Sequence, residues 1–63
     1  MADNKIKHVF PSVELVESLG ELIVRITGRD GNSYARSFDE QERAVSFAMV
    51  QCMRLGLETY RRV

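Results

Sequence analysis

One segment constrains this chain more than any other: the stretch from Asp39 to Arg62, which reads as a single helix apolar around most of its circumference. Turning by roughly 100° per residue, such a helix gathers Arg43, Gln51, Arg54, Glu58 and Arg61 on its polar side, with Phe47 among them. Ala44, Val45, Ala48, Met49, Val50, Cys52, Met53, Leu55, Leu57 and Tyr60 fill the remainder, interrupted by Ser46, Gly56 and Thr59. A helix lying on one small sheet needs an apolar stripe little wider than roughly 100°. The surplus calls for a second surface, most simply another copy of the chain.

Sixty-three residues make one domain close to the lower limit for burying a self-sufficient core, so oligomerisation is an expected source of stability. Neither a disulfide nor a zinc site can take that role. Cys52 is the only cysteine and His8 the only histidine. A lone thiol fits a reducing compartment. No stretch approaches the roughly 20 apolar residues of a membrane span, and Met1 to Phe10 lacks the apolar run of a signal peptide, so a soluble, cytoplasmic protein is expected. Nine Lys and Arg against nine Asp and Glu leave the net charge at zero, which provides no electrostatic attraction toward nucleic acid or an anionic membrane.

Residues 1–10 read as a flexible arm and 11–63 as the folded domain. Within the arm, Ile6, Val9 and Phe10 have the character either to extend a strand or to pack over a core edge, and Pro11 ends the segment. Val13 to Leu19 alternates, with Val13 and Leu15 on one face and Glu14 and Val16 on the other, and Gly20 marks a turn. Glu21 to Thr27 is the clearest strand. The following turn, Gly28-Arg29-Asp30-Gly31-Asn32, closes a hairpin in one of two ways. A two-residue Asp30-Gly31 loop sets Arg25 opposite Arg36, a repulsive pair. A three-residue loop with Gly31 in the left-handed conformation pairs Leu22 with Phe38 and Ile26 with Tyr34. The second is preferred. It gathers Leu22, Val24, Ile26, Tyr34 and Phe38 on one face with Arg36 at its margin, leaving Ile23, Arg25, Thr27, Ser33, Ala35 and Ser37 on the other.

Asp39 is a good helix N-cap, with Glu42 completing a capping-box-like pattern and Glu40 adding favourable charge. Gly56, about five turns in, leaves open a kink or a stop near it, although Leu57 and Tyr60 continue the periodicity. The predicted fold is α+β: a three-stranded antiparallel sheet followed by one C-terminal helix packed on one face, βββα, dimeric through the helix. The row Ala44, Ala48, Cys52 and Gly56 forms a shallow ridge that permits close approach of another backbone, either the sheet or a second chain. The opposite flank, Phe47, Val50, Met53 and Leu57, is the candidate dimer interface.

No catalytic, metal or cofactor site emerges. His8 lies in the arm beside Lys7 with no nucleophile placed near it, and Cys52 falls inside the apolar arc, where cysteine behaves as a small hydrophobe. Capping accounts for Asp39, Glu40 and Glu42, and the glycines at 28 and 31 lack the spacing of a phosphate-binding loop.

Leu22-Ile23-Val24-Arg25-Ile26, then Gly31, then Tyr34-Ala35-Arg36-Ser37-Phe38 and the opening Asp39-Glu40-Gln41-Glu42-Arg43-Ala44 resemble the N-terminal arm-binding domains of tyrosine integrases. The resemblance covers about residues 22–44. It implies a three-stranded sheet with one helix, the sheet face contacting DNA through positions matched here by Arg25, Arg29 and Arg36. That family is lysine-rich where this chain carries Asp30, Asp39, Glu40 and Glu42, and three arginines in a neutral chain imply a small counterion-release contribution. The expected function is therefore a small non-enzymatic interaction protein, self-associating and acting on another protein as an accessory or inhibitor, of a type encoded by phages and mobile elements. Ile23, Arg25, Arg29, Tyr34 and Arg36 are the candidate partner contacts. The alternative is a DNA-binding module using the outer sheet face.

Overall fold

A computed structural model describes residues 10–63. The elements run β1 (Ser12–Ser18), β2 (Glu21–Thr27), β3 (Ser33–Phe38), α1 (Gln41–Leu55) and β4 (Arg61–Arg62). The sheet has four strands in the order β3-β2-β1-β4, not three, and β4 pairs parallel to β1 while the other neighbours are antiparallel. The expectations for Ile6, His8 and the arm fall outside the described residues, apart from Phe10, which is exposed.

The first hairpin turns through Leu19 and Gly20, both at positive φ (52° and 81°), the pattern of a two-residue turn whose twist suits the flanking strands. The second takes the three-residue route. Gly28 donates its N–H to the Asn32 carbonyl at 2.9 Å, Gly31 sits at φ 87°, and the Asp30 carboxylate accepts from both the backbone and side-chain N–H groups of Asn32. Leu22 consequently faces Phe38, Ile26 faces Tyr34, and Arg25 faces Ala35 and not another arginine.

The helix starts later than its capping pattern suggests and stops at Gly56, the position where the sequence leaves a kink or a stop open. Glu40, not Asp39, is the N-cap residue, and its side chain makes no capping bond; its carboxylate lies 3.4 Å from Arg43 instead. Pairing in β3 continues to Phe38, so Asp39 and Glu40 are used in turning the chain out of the sheet. At the other end Gly56 adopts φ 75°, ψ 25°, Leu57 donates to the Cys52 carbonyl at 2.8 Å and Gly56 to that of Met53 at 3.3 Å. This paired arrangement is a Schellman stop, in which the left-handed residue turns the chain while satisfying the last carbonyls. The Arg29 guanidinium donates to another of them, that of Leu55, at 2.7 Å.

Leu57 and Tyr60 therefore belong to a returning segment and not to a helix face. Both pack against the core, and the chain then adds Arg61 and Arg62 beside Glu14 and Leu15, with Val63 donating to the Leu15 carbonyl at 3.0 Å. Part of the apolar surplus that suggested a second chain is thus consumed within this one.

The core is a thin layer between sheet and helix. Val13, Leu15, Val24 and Ile26 rise from the strands against Ala44, Ala48 and Cys52 of α1, each no more than 5 % exposed. The small-residue ridge faces the sheet, because alanine and cysteine let the helix axis approach branched side chains closely. Leu22, Val45, Leu55, Phe38 and Phe47 close the margins. Phe38 and Phe47 meet at a centroid separation of 5.3 Å, tilted by 45°.

Candidate interaction surfaces

With its single helix on one face, the sheet leaves three regions uncovered among the described residues: its outer face, the β3 edge and the solvent side of α1. The outer face carries Val16 opposite Ile23, both half-buried, and Glu14 opposite Arg25, joined at 3.1 Å. Ser33, Ala35, Ser37 and Thr27 complete it, with the Thr27 and Ser33 hydroxyls 3.2 Å apart. Arg25 is neutralised by Glu14, which also has Arg61 of β4 beside it, and the short side chains of β3 give that part of the face little relief.

The candidate partner residues do not share one surface. Ile23 and Arg25 lie on the outer face, Tyr34 and Arg36 project on the helix side, and Arg29 is engaged at the end of α1. The Arg36 guanidinium stands 5.5 Å from the Phe38 ring centroid and 5.4 Å from that of Phe47, within cation–π range of both. Arg25, Arg29 and Arg36 thus point to three different environments and make no basic face. A depression of about 420 Å³ beside Phe38 brings Arg36 and Arg43 together with Glu21 and Asp39, so its charges balance as well.

The four candidate dimer residues are likewise divided. Phe47 turns toward β3 to meet Phe38, and Leu57 lies beyond the helix against the core. Val50 and Met53 remain open, Met53 77 % exposed, and Met49 joins them. These three form the free apolar strip of α1.

One exposed residue escapes a reading of hydrophobic pattern altogether. Leu19 is fully exposed at the tip of the first hairpin with φ 52°. Left-handed backbone is uncommon outside glycine and asparagine, costing an ordinary L-residue roughly 1–2 kcal/mol. The neighbouring Gly20 signals a turn in the sequence, but only the backbone reveals that leucine occupies a position suited to asparagine or glycine.

Cys52 is enclosed between helix and sheet, and burial pushes its thiol above the ordinary value of 9.0. A neutral, enclosed thiol is a packing group and not a nucleophile. His8 lies outside the described residues. Among the described residues no group of three or more His, Cys, Asp or Glu side chains is placed to hold a metal ion, and no helix is long and apolar enough to cross a membrane.

No family model matches the chain, and neither a curated protein nor a solved structure matches it significantly.

Proposed function

We propose that this chain is a small non-enzymatic interaction protein that self-associates and acts by binding another protein. The observation that carries the proposal is Leu19: a large apolar side chain, fully exposed, held on backbone that leucine disfavours. Single exposed leucines are ordinary on protein surfaces, and single left-handed residues are ordinary in turns. Their coincidence is not. The residue sacrifices stability and makes no packing contribution to its own fold, and such local conflicts concentrate where a chain meets something else. The Met49, Val50 and Met53 strip supports the same reading, since flexible methionines suit surfaces that adapt to a partner.

A photoreactive amino acid at position 19, introduced in the native host, tests the proposal. The expected result is a discrete cross-link to another polypeptide that excess unmodified chain competes away and the Leu19→Asn variant does not. Labelling no more specific than that from a control position at Glu21 would refute it.

A further inference from the structure

We propose that two copies of this chain join edge to edge through β3, antiparallel and centred on Ala35, making one continuous sheet with both helices on the same side. This specifies the self-association proposed above and rests on that reading.

Backbone groups along β3 alternate in direction. Gly28 and Asn32 form a bonded pair at the mouth of the second hairpin, so bonding recurs at every second pair: Ile26 with Tyr34, Val24 with Arg36, Leu22 with Phe38. Tyr34, Arg36 and Phe38 direct their N–H and C=O toward β2. Ser33, Ala35 and Ser37 direct theirs outward, where no strand lies among the described residues. The opposite edge is blunted by shortness, β4 being two residues long, whereas β3 has six. β3 also has no proline, no lysine and no bulge, and its one charged side chain, Arg36, is held over the Phe38 and Phe47 rings. Its outer-face side chains are Ser, Ala and Ser, leaving an approaching strand unobstructed.

Charge and register then favour a second copy in one alignment. A twofold axis through Ala35 sets Ser33 opposite the partner's Ser37, Ala35 opposite the partner's Ala35, and Ser37 opposite the partner's Ser33. All the outward-facing groups of β3 find partners. On the helix side, the same alignment places Arg36 opposite the partner's Tyr34 and Tyr34, 62 % exposed in the single chain, opposite the partner's Arg36. Each guanidinium, already over the Phe38 and Phe47 rings, gains a third aromatic neighbour. Shifting the axis to Arg36 sets arginine against arginine across a non-bonded pair, where side chains approach most closely, and leaves Ser33 without a strand partner. Shifting it to Tyr34 pushes Ser37 against Gly31 of the turn. The alignment centred on Ala35 alone uses the full strand without a like-charge pair.

Sedimentation equilibrium over a range of concentrations, on wild type, Ala35→Glu, Ala35→Lys and Ala35→Pro, tests the proposal. The carboxylate introduced by Ala35→Glu would face Arg25 within one chain, so this variant keeps the fold, which circular dichroism checks, while placing two carboxylates together across the axis. Proline at this position removes an N–H that points away from β2. The wild type is expected to reach twice its chain mass of 7.2 kDa, the three variants to remain at 7.2 kDa, and an equimolar mixture of the Glu and Lys variants to recover the dimer. A wild-type dimer that persists undiminished in the folded Glu and Pro variants overturns the β3 assignment and leaves self-association through another face. A wild type that stays at its chain mass throughout overturns both.

Discussion

Replacing Gly56 with alanine sets two accounts of the C-terminal third of the chain against each other, because they predict opposite signs. If the helix ran on to Arg62, as its periodicity suggests, Gly56 would be a helix-interior glycine and alanine would stabilise the protein by about 0.8–1.0 kcal/mol. In the structure Gly56 is the left-handed residue that ends α1, at φ 75°. Alanine there incurs roughly 1–2 kcal/mol of backbone strain. Reduced freedom of the unfolded chain returns about 0.4–1 kcal/mol of this. Crowding adds nothing further, since a Cβ at this position meets only Arg29 Nη2 at 3.5 Å, an ordinary contact. The net expectation is a loss of about 1 kcal/mol. For a domain of this size that lowers Tm by about 4–8 °C. Thermal unfolding followed by circular dichroism measures it, and Gly56→Asn, which tolerates the left-handed region, is expected to fall between glycine and alanine. An alanine variant as stable as wild type, or more so, would refute the helix stop and with it the return of Leu57, Tyr60 and β4 to the sheet.

Other outcomes follow from the same structure. Leu19→Asn relieves a left-handed leucine and is expected to raise stability by about 0.5–1 kcal/mol in urea unfolding; destabilisation would mean that Leu19 packs within its own chain. Ala48→Leu forces a large side chain between helix and sheet and should cost about 1–3 kcal/mol, measured the same way; a neutral effect would show that the ridge does not seat on Val13, Leu15 and Val24. Cys52 should resist aromatic disulfide reagents at neutral pH until the protein unfolds, and rapid modification of the folded chain would contradict its enclosure. Because its folded pKa is raised, the thiol's contribution to stability is complete below its unfolded value, near 9.0, and is lost as pH rises from there toward the folded value. Stability falling with alkaline pH more steeply in wild type than in Cys52→Ala checks this sign.

Much of this fold was legible where side chains decide between discrete alternatives. Like-charge avoidance between Arg25 and Arg36 selected the β2–β3 register, and alternation placed Val13 and Leu15 on the buried face. The small residues at 44, 48 and 52 marked the ridge of the helix, although periodicity alone left open whether sheet or second chain lay against it. The rest depended on backbone conformation, which hydrophobic spacing does not encode. Gly56 signalled a kink or a stop without deciding between them; Leu57 and Tyr60 continue the helical period past it by coincidence, and the left-handed stop separates them from α1. A two-residue strand such as Arg61–Arg62 has no pattern of its own; it is set beside β1, where the Leu15 carbonyl accepts from the Val63 N–H. Capping by Asp39 failed for a related reason: strand pairing held the chain extended through Phe38, moving the helix start beyond it. The interaction surfaces were less legible still. Residues grouped by face in the sequence, such as Phe47 with Val50 and Met53, separate once aromatic contact to Phe38 claims one of them.

The most direct test of self-association through the sheet edge is amide hydrogen exchange along β3 as protein concentration is raised. Tyr34, Arg36 and Phe38 donate toward β2 and should be protected at every concentration, providing an internal standard. The amides of Ser33, Ala35 and Ser37 have no partner strand among the described residues of the single chain. These three are expected to exchange freely in dilute solution and to gain protection together as concentration rises. Free exchange of all three at high concentration, with Tyr34, Arg36 and Phe38 protected throughout, would contradict the edge-to-edge dimer.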